Sequence, residues 1–567
     1  MITDLQLKQN PFFLSDEDIA WVKTTLSGLT GDEKIGQLFC LAAFSTDPAF
    51  VEYIFHVMKP GGIMYRPMKA AEAVALTHAL AKKSAVPMLI AANLEAGANG
   101  AVSDGTYLGN EMQVAATGDV QMASHLGEIC AEEAGPAGFN WAFAPIIDID
   151  MNFRNPITNT RTFGSDPKLV AAMGEAYVKA VESRGMAASI KHFPGDGHDE
   201  RDQHLVTSVN GLSCEEWDAT YGLAYRTCIA AGAKTVMVGH ILQPAYIRHF
   251  NPGIRDEDML PATLSPELMG GLLRTKLGFN GLIVTDASMM GGFAIAMSRK
   301  KAVPLSIAAG ADMFLFCKDM QEDFNYMREG VHSGVITKER LDEAVTRILA
   351  LKASLGLHKK PLPDEKQAQS CLCMPKHQQW SAECADKAVT LVKEQKGVLP
   401  ISPAKTPRVL LVPIEQNDPK ALFSFTESAA DRFRELLSKE GFDVSVFEAN
   451  KGMEGMMAPC AATLEKYDLI LYLCNLATKS NQTVVRIEWA QPMGANLPVF
   501  LNDIPTVFVS VANPYHLIDV PRVKTYINAY NADGAVLRAV VEKLMGRSPF
   551  TGKSPVDAFC GKWDTRL

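Results

Sequence analysis

Residues 189–205 read S-I-K-H-F-P-G-D-G-H-D-E-R-D-Q-H-L, with three histidines (His192, His198, His204) and four acids (Asp196, Asp199, Glu200, Asp202). Side chains of these types move protons near neutral pH, hold hydroxyl groups or ligate a metal. The stretch opens as an apolar run and reaches Lys191-His192 just before the turn Pro194-Gly195. That is the pattern of a strand ending where a mobile charged loop begins. Unpaired charge is costly to bury, so the acids cannot all be inside. A solvated loop would account for the acids, but less well for Lys191-His192 closing an apolar run. A further carboxylate, Asp286, stands in G-L-I-V-T-D-A-S-M-M-G-G where a second buried strand meets a loop. A carboxylate fixed there can be aimed at a reacting carbon, although Asp is also a favoured helix cap.

Such groups need a frame. Eight short, near-continuous apolar runs read as strands at 37–43, 62–65, 86–92, 140–147, 187–191, 235–239, 282–285 and 313–316, as expected for strands covered on both faces. Amphipathic helices lie between most of them. One is capped by Asp166 with Pro167 in its first turn; others are expected over 213–231, 265–277 and 320–355. The alternation predicts an α/β fold: a (β/α)8 TIM-like barrel over 1–357, then a polar, Pro-containing linker over 358–380. A smaller three-layer α/β sandwich domain is expected over 381–567, with strands at 409–413, 444–447, 469–473 and 506–511 and helices at 381–394, 427–440 and 534–546. Arg486 and Glu488 in that domain are read as a surface salt pair.

A barrel makes a test of function, because its catalytic groups sit just past the C-terminal strand ends. Asn93 and Glu95 follow the third strand, Asp148 and Asp150 the fourth, Lys191 and His192 the fifth, His240 the sixth and Asp286 the seventh. Their common position, more than any one residue, points to a site.

Composition bounds the rest. The chain has 567 residues, 47% hydrophobic and 21% charged, with a net charge of -9. Both signs are interspersed, which argues against a nucleic-acid partner. No apolar run approaches the ~18 residues of a membrane helix, so no membrane partner is expected. The first residues show no secretory pattern and the eleven cysteines sit mostly in apolar runs; the expectation is a cytoplasmic protein with reduced thiols.

K-H-F-P-G-x-G followed by D-x-H, with T-D-A-S-M around Asp286, resembles the signature of glycoside hydrolase family 3, in its β-N-acetylglucosaminidase branch. The resemblance spans most of the chain in length and order. It implies a retaining, exo-acting enzyme that removes terminal GlcNAc from short saccharides or cell-wall fragments, with a small carbohydrate as partner and no cofactor or metal. It implies Asp286 as nucleophile and His204, paired with Asp202, as acid/base. The chemistry is reasonable, since an unperturbed His titrates near ~6.5 and a nearby carboxylate fixes its tautomer. On an extended segment, residues two apart point the same way. A neutral His would not repel an incoming anion, so phosphate could compete with water and give a sugar 1-phosphate. Lys191, His192 and Arg161 correspond to sugar-hydroxyl contacts, and Asn93, Glu95 and His240 join them as candidate binding residues.

Two departures stand out. Where the family has D-x-E-G-G-R, this chain has Asn93-Leu94-Glu95-Ala96-Gly97-Ala98, so the Asp and the Arg are both replaced. Asp196 stands where His is common. Other readings are a phosphorylase, a family-3 β-glucosidase with a carboxylate acid/base from the second domain, and a non-catalytic sugar-binding protein. A metal-dependent hydrolase using His192, Asp196, His198, Asp202, His204 and His240 lacks an H-x-H on an early strand. Oligomeric state is not legible.

Overall fold

The computed structural model describes all residues except 1, 44, 416–427, 449–459, 479, 482, 484, 492 and 493. The chain divides into two compact units. The first comprises 1–108, 123–158 and 166–378; the second comprises 109–122, 159–165 and 379–567. The expected contiguous boundary is therefore refined, because two short segments inside the first 357 residues cluster with the second unit.

The first unit is a closed parallel barrel. Its strands are β1 (Phe39–Ala43), β2 (Gly62–Tyr65), β3 (Leu89–Ala92), β4 (Trp141–Ala142), β5 (Ala187–Phe193), β6 (Thr235–Val238), β7 (Leu282–Ala287) and β8 (Met313–Leu315). Each pairs with its sequence neighbours, and β1 closes on β8. All eight expected strands are present. The run expected over 140–147 is the shortest. Pro145 has no N–H to give the ladder, so past Ala142 the chain follows β5 through separate bonds, Ser189 N–H to Ala144 O and Ile147 N–H to Lys191 O, each 2.9 Å.

The helices follow local signals with three corrections. Asp166 caps Pro167–Glu182 through its side chain, as its sequence predicts. The helix expected over 213–231 breaks at Thr220 into Cys214–Ala219 and Tyr221–Ala230. The run at 320–355 divides into Met320–His332 and Lys338–Ser354, with Gly334 at φ +80° between them. The segment read as a linker holds Glu365–Cys371 and the start of Pro375–Ala388. His377 fixes it to the barrel helix Val120–Ala134, with Nδ1 2.6 Å from Glu133 and Nε2 3.2 Å from Glu132.

Lys352, on the helix Lys338–Ser354, is fully buried, with Nζ donating to Gln37 Oε1 at 2.7 Å. Burial lowers its pKa from 10.5 to about 7. A depressed lysine makes the unfolded chain the better proton binder between those values, so its contribution to stability falls as pH drops from 10.5 towards 7. Lys352→Met is therefore expected to raise the melting temperature most at pH 6, by a gain on the order of a few kcal/mol. The gain should shrink by roughly half or more at pH 9. Melting curves at the two pH values check this.

The second unit carries a six-stranded sheet: β9 (Thr390–Lys393), β10 (Arg408–Glu415), β11 (Asp443–Val446), β12 (Leu469–Asn475), β13 (Thr506–Ser510) and β14 (Tyr526–Asn528). The order is β9-β14-β13-β12-β10-β11, and among the described residues only β9 is antiparallel to its neighbour. Alternate residues serve opposite faces: Val409 and Leu411 pack with helices Ala429–Lys439 and Gly534–Leu544, whereas Leu410 and Val412 pack with Ile487, Leu517 and Val520. The helix expected over 381–394 ends at Ala388, and its β-branched tail becomes β9. Arg486 pairs with Asp519 rather than Glu488. Among the described residues, no helix is long and apolar enough to cross a membrane.

Candidate active site

The C-terminal ends of β5 and β7 bring His192 and Asp286 together. Asp286 is buried near the end of β7; its Oδ2 lies 4.0 Å from His192 Nε2, and its Oδ1 accepts the Ala287 N–H at 2.7 Å. The helix-cap alternative does not hold, because the next helix, Gly291–Ala294, has Met290 at its cap. His192 is oriented from behind by Asp148, whose Oδ2 lies 2.7 Å from Nδ1 and whose Oδ1 accepts the His192 N–H at 3.0 Å. Lys191 is buried and donates to Glu95 Oε1 at 2.7 Å.

The polar loop after β5 is tied down rather than loose. Asp196, Asp202 and Gln203 are buried. Asp202 Oδ1 accepts the His204 N–H at 2.8 Å and lies 2.7 Å from His204 Nδ1. Residues 203–205 form a turn, with Leu205 N–H bonded to Asp202 O at 3.0 Å. The pair meets through an Asx turn, in which an Asp side chain accepts the N–H two residues on, and not through strand alternation. His204 Nε2 has no hydrogen-bond partner among the described residues, and the side chain is 25% exposed.

The remaining candidates separate. His240 is 0% exposed, with Nδ1 3.0 Å from Thr263 Oγ1 and Nε2 3.0 Å from Ala287 O. A carbonyl only accepts, so Nε2 carries a proton, and burial lowers the pKa of the ring. His240 thus braces the peptide after Asp286 and has no free nitrogen for a sugar, which corrects its expected role. Asn93 is exposed and Glu95 half-buried past β3. Arg161 lies in the turn Asn159–Arg161, a segment of the second unit. Sequence reasoning missed the supporting groups Asn155, Gln203 and Thr263. Gln203 lay inside the motif, but its residue type carries no chemical signal.

The electrostatics suit a carboxylate nucleophile. Burial raises the Asp286 pKa, but the fields of His192, His240 and His204 and the Ala287 N–H outweigh it and leave the group below its ordinary 3.8. Asp196 moves the other way, raised by burial and by the facing Asp148 carboxylate. The site therefore offers an ionised carboxylate and a carboxylate-paired imidazole with one open nitrogen. Among the described residues, no three His, Cys, Asp or Glu side chains form a group that could hold a metal.

The comparisons agree with this architecture. Residues 30–351 match the model of the glycosyl hydrolase family 3 N terminal domain. The chain is 53% identical to a protein of Cellulomonas fimi named beta-N-acetylglucosaminidase/beta-glucosidase, covering 99% of this chain and 100% of that one. A solved structure titled beta-glucoside phosphorylase BglX is 46% identical with a TM-score of 0.93, covering 100% of both chains. A family 3 beta-N-acetylglucosaminidase from Paenibacillus sp. str. FPU-7 shares the fold at 24% identity and a TM-score of 0.78, covering 94% of this chain and 99% of that one. With a barrel of eight parallel strands and a family match over more than half its length, the chain belongs to glycosyl hydrolase family 3.

Proposed function

We propose that the protein is a retaining, exo-acting β-glycosidase for terminal N-acetylglucosamine, with β-glucosides as further substrates. In this reading Asp286 attacks the anomeric carbon while protonated His204 gives its proton to the leaving oxygen. Neutral His204 then takes a proton from the acceptor that displaces the sugar from Asp286. Asp202 holds the His204 tautomer and stabilises its charged form. Lys191, His192 and Asn93 are assigned to sugar hydroxyls, as is Arg161 by its motif. Glu95 orients Lys191. The observation that carries the reading is the Asp202–His204 pair, with Nε2 open, on a loop whose main chain bonds to the turn after the buried Asp286, Gly291 N–H to His204 O at 2.7 Å. The two sugars in the name of the Cellulomonas fimi relative support a dual specificity.

A second reading shares these residues and changes the acceptor. A neutral imidazole, unlike a carboxylate base, does not repel a phosphate anion, and the solved structure with 46% identity is titled a phosphorylase. Phosphate oxygen would bond to the anomeric carbon, the Asp286–sugar bond would break, and a sugar 1-phosphate would leave. Turnover of p-nitrophenyl β-GlcNAc and β-glucoside, with and without phosphate and read by phosphorus NMR, separates the readings. Sugar 1-phosphate as the main product in phosphate is expected for phosphorolysis. Free sugar alone at saturating phosphate restricts the protein to hydrolysis, and no release of either sugar contradicts both.

A further inference from the structure

Gln203, between the two members of the pair, is 1% exposed and uses both ends of its side-chain amide. Oε1 accepts the His240 backbone N–H at 2.8 Å, and Nε2 donates to Asp196 Oδ2 at 3.1 Å. A backbone N–H can only donate, so the amide oxygen must face His240 and the NH2 must face Asp196. Asp196 is itself anchored, its Oδ1 accepting from Asn155 Nδ2 at 3.0 Å and from Gly197 N–H at 2.7 Å. One side chain therefore ties the loop to the ends of β5 and β6.

The main chain of the same loop docks on the turn that follows Asp286. Gly291 N–H donates to His204 O at 2.7 Å and Gly292 N–H to Gln203 O at 3.1 Å. That approach needs glycine: a Cβ on Gly291 would stand 2.0 Å from Leu205 O, and one on Gly292 would stand 2.8 Å from Gln203 O. These two backbone bonds hold the loop from the β7 side and the Gln203 amide holds it from the β5–β6 side. On that side the loop is also held by Ser208 N–H to His240 O at 3.3 Å, four residues past His204, whereas the Gln203 amide acts inside the short turn that aims His204.

We propose that Gln203 is a positioning residue that sets His204 Nε2 relative to Asp286 through its paired bonds to Asp196 and the His240 N–H. The inference rests on the acid/base reading of His204. A positioning role predicts a leaving-group signature that a loss of folding does not. Glycosides of a poor leaving group need the proton from His204, whereas a dinitrophenolate leaves without it.

The test uses the full chain carrying Gln203→Leu or Gln203→Glu, with kcat/KM measured on alkyl and 2,4-dinitrophenyl glycosides of one sugar. Leu removes both bonds; Glu keeps the acceptor for His240 and places a second acceptor against Asp196, so it carries the test where the Leu variant does not fold. The expected result is a loss of about 10- to 100-fold on the alkyl glycoside, below the full worth of an acid/base group. The dinitrophenyl glycoside should stay within about threefold of wild type. Equal losses on both substrates, or no loss on either, overturn the inference. His204→Ala in the same panel separates the two failures. If it shows the signature and the Gln203 variants do not, only the positioning role falls; if His204→Ala itself lacks it, the acid/base reading falls.

Discussion

Asp286→Ala is expected to lower turnover of β-glycosides by about 10⁴-fold or more, the scale on which removal of a covalent nucleophile is felt. The residue sits near the end of β7 with its carboxylate 4.0 Å from His192 and below its ordinary pKa, so it is ionised near neutral pH. The substitution leaves a space where a small anion fits. Added azide is expected to restore activity and to give a glycosyl azide of inverted configuration, because one displacement replaces two. Steady-state kinetics with product analysis check both points. A purely structural aspartate would instead cost stability while leaving turnover of the folded fraction near wild type.

His204→Ala is expected to act selectively. For alkyl glycosides kcat/KM should fall about 10²- to 10⁴-fold, the usual worth of general acid–base catalysis. For dinitrophenyl glycosides kcat/KM should change little, but kcat should fall because the second step loses its base. Azide needs no such base; it should raise that kcat and give an azide of retained configuration. The geometry behind this is one carboxylate oxygen of Asp202 serving both the N–H and Nδ1 of His204, which leaves Nε2 as the working atom. Kinetics on the two substrate types decide it. A uniform loss would place the acid/base elsewhere, as the β-glucosidase reading requires.

The barrel was legible because each of its strands is a short apolar run followed by a turn, and burial on both faces leaves little else for such runs to do. Asp286, Lys191 and His192 were legible for a related reason: a charged residue closing a buried run is costly unless it is used. Other features depended on the folded chain. The break at Thr220 lies inside a helical pattern with no proline to announce it, and the nearby Gly222 falls within the second helix rather than at the break. Asp148 reaches His192 across 44 positions, and no spacing rule connects them. His240 looked like a pocket residue because it follows a strand, yet both its ring nitrogens turn inward. The Asp202–His204 pair was anticipated by the family resemblance, but the turn that makes it was not.

The most direct test of the account is to incubate the protein with 2,4-dinitrophenyl 2-deoxy-2-fluoro-β-glucoside and map the labelled peptide by mass spectrometry. Fluorine at C2 destabilises the positively charged transition states of both steps, and the good leaving group rescues only the first, so the glycosyl-enzyme accumulates. The expected result is one fluoroglycosyl group per chain, on Asp286, released when azide is added. A label on another residue, or steady turnover of the parent β-glucoside with no label at all, would contradict the covalent role of Asp286.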